Sequence, residues 1–113
     1  MNAKKFNRIV KSPCRWSEIW LDITNTVNTP DNRTINLIKA ILEFEGEIIL
    51  EPKEECPSDG SAMDMIKSIV ITYVGQHKFI EFIPQIESII TNINSSTKLI
   101  DLAQKTKENL SIS

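Results

Sequence analysis

The sequence predicts a mainly α-helical protein, a helical bundle or a set of stacked helix pairs with about five helices. Apolar residues recur at helical spacing along most of the chain, and residues typical of helix starts precede these runs. The 113 residues are enough for one domain (1–113) with its own core, without disulfides or a metal. The alternative is an α+β fold in which a short β-hairpin joins the helices.

The N-terminal residues form a basic arm. Residues 1–15 contain five cations and no acid. We interpret 1–12 as a solvated arm, or as a short edge strand at 6–10, that contacts the acidic segment described below. A nucleic-acid-binding tail is the weaker hypothesis, because the later cations are scattered singly and the longest charged surface is acidic.

Two helices are predicted in the first half of the chain. Ser12 as N-cap with Pro13 at the first helical position starts the first helix, and Thr29 with Pro30 starts the second. We expect the two helices to pack as an antiparallel hairpin. Their apolar faces consist of Trp16, Ile19, Trp20, Ile23 and Val27 in the first helix, and of Ile35, Ile38, Ile41 and Leu42 in the second.

A strongly acidic segment separates two helical halves. Residues 43–64 hold eight carboxylates and one cation, although the net charge of the chain is only -2. Glycines and prolines interrupt 46–61, which we interpret as an acidic loop. Within it, 47–50 has the pattern of a short strand. The carboxylates are Glu43, Glu45, Glu47, Glu51, Glu54, Glu55, Asp59 and Asp64.

The third predicted helix follows the acidic loop. Ser61 lies three residues before Asp64, a spacing close to that of a capping box. The pattern predicts a helix that ends at Gly75. Residues 69–74 are rich in β-branched side chains, so a strand is the alternative there.

Two more helices are predicted in the C-terminal part. The first of them runs from residue 77 to 94, and Pro84 is expected to kink it or to restart it. The second follows the capping sequence at 95–97.

No motif for a cofactor or a metal is present. The three glycines are isolated, so neither a P-loop nor a dinucleotide fingerprint exists. Cys14 and Cys56 form no C-x-x-C pair, and whether they lie close together is left open. The crowded acids at 51–59 do not have the spacing of an EF-hand. We therefore expect no cofactor and no metal site.

His77 is the single histidine and the one candidate for catalysis. In the predicted helix it lies four residues before Glu81, which could orient its imidazole as a general base. Because no serine or cysteine is marked as a nucleophile, we expect a protein that is not an enzyme.

The sequence also predicts where the protein works. No apolar run follows the N-terminal cations as in a signal peptide, and no stretch approaches the ~18 apolar residues of a membrane span. We expect a cytoplasmic protein without a membrane or nucleic-acid partner.

The charge layout predicts protein binding. All eight carboxylates are candidate contacts to a basic protein, which the chain would mask. Bacterial immunity proteins, which neutralise toxins such as nucleases, are the class of inhibitor that this size and charge fit best. The alternative is a chaperone or adaptor that binds a partner segment in an apolar groove, with Trp16, Trp20, Met63 or Met65 at its edge. An enzyme using His77 is the second alternative, and the oligomeric state is left open.

Overall fold

The computed structural model describes residues 1–29, 31–51, 61–93 and 95–112, which fold into a bundle of six α-helices. One apolar core contains side chains from all six of them. The mainly α-helical prediction is confirmed, with one helix more than expected. The helices are α1 Ala3–Ile9, α2 Trp16–Asn28, α3 Asn32–Glu43, α4 Ala62–His77, α5 Ile83–Thr91 and α6 Thr97–Ile112, and a 3₁₀ turn at Ile80–Phe82 precedes α5.

Helix α1 occupies the basic arm, where an edge strand at 6–10 was the wrong expectation. Phe6 and Val10 lie four residues apart on one face of the helix and its C-terminal turn, and both are buried. The Phe6 ring meets the Phe44 ring edge-on at a centroid distance of 5.8 Å. Because the cations Lys4 and Arg8 stay exposed, the arm is both charged and part of the core.

Two ion pairs also connect the basic arm to α2. The N-terminal ammonium lies 3.1 Å from Asp22 Oδ1, and Lys5 Nζ lies 2.9 Å from Asp22 Oδ2. Burial alone would raise the pKa of Asp22, but the hydrogen bonds from Lys5 and the ammonium outweigh it and lower that pKa. Asp22 therefore stays ionised and holds α1 against α2.

Helix α2 begins at Trp16, later than Ser12 and Pro13 predict. The reason is a bridge between distant segments: Cys14 N donates to Ile49 O at 3.0 Å, and Glu51 N donates to Cys14 O at 3.0 Å. This parallel pairing keeps the chain around Cys14 extended. It is an isolated bridge, and the described ranges contain neither a strand at 47–50 nor the alternative β-hairpin.

Helix α3 starts from Asp31, not from Thr29 as predicted. The Asp31 carboxylate accepts hydrogen bonds from Arg33 N at 2.8 Å and from Thr34 N at 3.1 Å, whereas Thr29 ends α2. Pro30 lies outside the described residues. Because α3 packs mainly on α1 and only lightly on α2, the α2–α3 hairpin is not its principal contact.

Helix α4 runs without a break through 69–74, so the strand alternative is wrong. Its β-branched residues Val70, Ile71 and Val74 are buried in the core, and this packing overrides their strand preference. Gly75 does not end the helix, which continues to His77 and stops at Lys78 in the left-handed conformation. Instead, Gly75 lies beneath Thr106 of α6, and a Cβ there would meet Thr106 Cγ2 at 3.3 Å.

The last two helices are confirmed, but α5 is shorter than the predicted 77–94, because α4 extends to His77 and the chain leaves the helical conformation at Lys78. Pro84 lies in the first turn of α5, so the helix restarts there after the 3₁₀ turn. Ser96 Oγ accepts a hydrogen bond from Leu99 N at 3.2 Å and caps α6. Lys107 and Glu87 form an ion pair at 3.2 Å between α6 and α5. Within the described ranges, no helix combines the length and apolar character needed to cross a bilayer.

Candidate functional site

Two adjoining cavities open at the end of the bundle where α3 and α5 finish and α4 begins. Their volumes are about 240 Å³ and 460 Å³, and Glu45, Lys67 and Asn92 line both. Glu43, Gln85 and Ser88 complete the polar lining of the smaller cavity. Glu47, Ser61, Asp64 and Ser95 do so in the larger one. We call the two cavities together the acidic groove.

The structure brings half of the predicted partner-binding acids to this groove. These are Glu43, Glu45, Glu47 and Asp64. Glu51 lines neither cavity and forms an ion pair with Arg15 Nε at 3.5 Å. The other three, Glu54, Glu55 and Asp59, lie outside the described residues. The partner-binding role of all eight stays a prediction.

Glu43 and Glu45 are the acids most available to a partner. Both are exposed, and neither makes a hydrogen bond or an ion pair with another described residue. Glu43 is the last residue of α3, and neither α3 nor α5 has a basic residue in its last turn. The C-termini of α3 and α5 carry partial negative charge at this end, and the N-termini of α4 and α6 carry partial positive charge at the same end, so the negative charge of the groove comes from its carboxylates.

Glu47 has a structural task in addition to its charge. Its Oε1 accepts hydrogen bonds from Met63 N at 2.7 Å and from Ile48 N at 3.0 Å. Ser61 Oγ accepts from Asp64 N at 3.1 Å, as the capping pattern predicts. Glu47 and Ser61 thus cap α4 together. The sequence does not predict the contribution of Glu47, because Glu47 is sixteen residues before Met63 and only the fold brings its carboxylate to Met63 N.

Lys67 lines both cavities, and the sequence analysis did not name it as a site residue. Only 8% of this residue is exposed, and none of the described carboxylates forms an ion pair with its ammonium. Burial lowers the pKa of Lys67, and the attraction of Asp64, Glu45 and Glu47 only partly offsets it. A signal existed in the sequence: Lys67 shares the helical face of Met63, Val70 and Val74.

Replacing Lys67 with methionine is expected to raise the free energy of unfolding near neutral pH, because methionine keeps the apolar stem and removes a buried charge. The lowered pKa means that, just below the ordinary lysine pKa, the unfolded chain binds more protons than the folded one. Wild-type stability then rises with pH in that window, so the advantage of Lys67→Met shrinks there.

Urea unfolding of both proteins at neutral and at alkaline pH measures this difference. Lys39→Met, at an exposed position of α3, is the matched control and should show no such dependence on pH. A Lys67→Met protein that is less stable than wild type, or an advantage that is constant with pH, would contradict the prediction.

Gln85, which lines the smaller cavity, has an unusual side-chain oxygen. Its Oε1 is buried and has no hydrogen-bond partner, although an unpaired buried acceptor is unfavourable. Gln85 lies in the first turns of α5, beside Pro84, and lines the same cavity as Lys67. The smaller cavity is therefore lined by a mostly buried lysine without an ion-pair partner among the described residues, and by a glutamine whose side-chain oxygen is enclosed by protein atoms.

His77 lies apart from these residues, at the end of α4. Its ring stacks on Tyr73 at a centroid distance of 6.1 Å and contacts Phe79 at 5.6 Å. Because α4 ends at His77 and Lys78 is left-handed, Glu81 is not one helical turn further on, and the predicted orientation is wrong. Catalysis by His77 itself stays an untested prediction.

The other candidates for binding and metal chemistry are Met63, two tryptophans and two cysteines. Met63 is buried in the core, Trp16 is half-buried, and 41% of Trp20 is exposed. Cys14 is a free, partly buried thiol, and Cys56 lies outside the described residues. In the part of the chain that the structure describes, no group of three His, Cys, Asp or Glu residues could hold a metal ion.

Fold and site together define a mainly α-helical bundle with an acidic groove at one end. No protein-family model matches the chain, and neither a curated protein nor a solved structure matches it. Its function is therefore inferred from the groove itself.

Proposed function

We propose that this protein is a small acidic binding module that masks a basic protein partner through the acidic groove. The observation that supports it is the position of Glu43 and Glu45, exposed and unpaired within the described residues beside the C-termini of α3 and α5. A bacterial immunity or inhibitor protein that neutralises a toxin such as a nuclease is the class that this charge layout fits.

The negative charge of the groove favours a positively charged partner. Among the described residues, the groove is lined by the carboxylates of Glu43, Glu45, Glu47 and Asp64 and by one ammonium, that of Lys67. A lysine or arginine of the partner entering it would form charge-assisted hydrogen bonds with these carboxylates. Complementarity of this kind mainly accelerates association and selects the partner.

Reversing two charges at the groove is expected to weaken the complex strongly. The partner is captured with the tagged protein from its host at low and at moderate salt and identified by mass. Its affinity is then measured for wild type and for the double variant Glu43→Lys/Glu45→Lys. We expect at least about a tenfold loss per reversed charge, and weaker wild-type binding at higher salt.

The matched control is Asp101→Lys/Glu108→Lys, which changes the net charge equally. Both residues are exposed on α6, and Asp101 is turned about 200° around the helix from Leu99, which lines the groove. This variant should bind almost like wild type. Equal losses in both double variants would mean that only net charge matters, and unchanged affinity in both would refute the proposal.

An adaptor that binds through apolar residues is the second candidate function. It is favoured by Trp20 and Leu21, which are adjacent on α2 and 41% and 52% exposed. For such a protein, capture of the partner would be insensitive to salt and to Glu43→Lys/Glu45→Lys, but lost in Trp20→Ser.

A further inference from the structure

The solvent face of α1 carries positive charge that nothing in the described structure neutralises. Lys4 and Arg8 lie about one helical turn apart, on the side of α1 turned away from the buried Phe6 and Val10. Both are exposed, and neither side chain makes a hydrogen bond or an ion pair with another described residue. No acid precedes Glu18 in the chain, so no neighbour in sequence compensates these cations. We call Lys4 and Arg8 the basic pair.

The exposed acids of the groove are held close to α1, but on its other side. Glu43 and Glu45 flank Phe44, whose ring meets the Phe6 ring edge-on at a centroid distance of 5.8 Å. The basic pair lies on the far side of α1 from Phe6, and no ion pair joins it to these acids among the described residues. Each copy of the chain therefore presents one positive and one negative pair to solvent, in different directions.

The spacings of the two pairs match each other. Four residues of α-helix separate Lys4 from Arg8 by about 6 Å along the helix axis. Glu43 and Glu45 are two residues apart across Phe44, whose backbone is extended, so their Cα atoms are separated by about 6–7 Å. A basic pair that approaches an acidic pair side by side therefore forms two ion pairs at once. Within one molecule the two faces point apart, so the complementary surface is that of a second copy.

We propose that this chain forms a two-fold dimer in which Lys4 and Arg8 of each copy pair with Glu43 and Glu45 of the other. A two-fold axis uses both charged surfaces of both copies, whereas a head-to-tail contact would leave one surface open on each end. Exposed ion pairs are individually weak, so the dimer is expected to be weak and to dissociate in salt. It does not rest on the proposed function, but a basic partner that binds Glu43 and Glu45 would compete with it.

The first test needs only the purified wild-type chain. Sedimentation equilibrium over a range of concentrations at low salt should show monomer and dimer in exchange, and high salt should shift the population to monomer. A wild type that stays monomeric at low salt would overturn the proposal and mean that another molecule, or solvent alone, covers these charges. A dimer that resists salt, or assembly that continues beyond the dimer, would overturn it as well.

Charge reversal then identifies the surfaces that pair. Lys4→Glu/Arg8→Glu, the basic-pair variant, and Glu43→Lys/Glu45→Lys, the acidic-pair variant, should each weaken self-association at least about tenfold, because like charges then meet. An equimolar mixture of the two variants should recover the dimer, since each supplies the sign of charge that the other lacks. The recovered dimer should contain one copy of each variant.

The matched control is Asp101→Lys/Glu108→Lys, which has the same net charge as the acidic-pair variant. Both substitutions are at exposed positions of α6, so this protein should self-associate like wild type. Mixed with the basic-pair variant, it should form no mixed dimer, because acidic pairs would then meet acidic residues at one of the two contacts. Equal recovery in both mixtures, or recovery in neither, would overturn the proposed pairing. The proposed function is judged separately, by the binding of the captured partner.

Discussion

Replacing Phe6 with alanine is expected to lower the free energy of unfolding by about 3–5 kcal/mol. Phe6 is fully buried, and the change would remove its contact with Phe44 and leave a cavity between α1 and α3. Helix α1 has only seven residues, too few to be stable without packing. A loss of this size is a large part of the stability of an ordinary domain.

The same change is expected to weaken the proposed binding of a basic partner at the groove. The ring of Phe44 lies so close to Gly46 that a Cβ there would be 2.6 Å from Phe44 Cζ. Phe6 packs on the Phe44 ring, and that ring lies against the backbone at Gly46, between Glu45 and Glu47.

Urea unfolding followed by circular dichroism measures the loss of stability in Phe6→Ala. Lys4→Ala, at an exposed position of the same helix, is the control and should change stability by less than about 0.5 kcal/mol. A loss below about 1 kcal/mol in Phe6→Ala would show that the basic arm does not pack on the core.

Gly75→Leu is expected to destabilise the fold by about 1–3 kcal/mol, because α4 and α6 approach each other too closely there for a side chain. A Cβ at Gly75 would already touch Thr106 Cγ2 at 3.3 Å, and Asn109 Nδ2 donates to Gly75 O at 3.4 Å. A leucine would separate the helices and break this contact. Thermal or urea unfolding measures the effect.

A double-mutant cycle tests whether Thr106 is the cause. Alanine at position 75 gains about 1 kcal/mol of helix propensity but meets the Thr106 methyl group, so Gly75→Ala alone should change little. In a Thr106→Ala background that methyl group is gone, and Gly75→Ala should then stabilise. Wild-type stability in Gly75→Leu would mean that the two helices are not in close contact at this point.

Local signals in the sequence predict most helices but few of their long-range contacts. The Ser61 cap, the restart at Pro84 and the Ser96 cap depend only on neighbours in sequence, and all three are confirmed. The start of α2 was misplaced because it depends on the pairing of Cys14 with Leu50. Cys14 and Leu50 are far apart in sequence, and no local pattern predicts that they pair.

In the candidate site, too, the sequence predicts some residues and leaves others to be defined by the fold. Composition alone directs attention to Glu43 and Glu45, because carboxylates are dense in that segment. Lys67 and Gln85 acquire their character only from burial, which the packing of α3, α4 and α5 creates. A lysine in an apolar helical stripe is the one local sign that was available.

The walls of the acidic groove come from α3, α4, α5 and the start of α6, so the groove exists only when segments distant in sequence are folded together. A partner that binds there binds the native chain and not the unfolded one, and its binding free energy is added to the stability of the fold by mass action. Occupied molecules therefore unfold less often than empty ones. Since proteases act on opened chains, the lifetime of this protein in a cell would follow the concentration of the proposed partner.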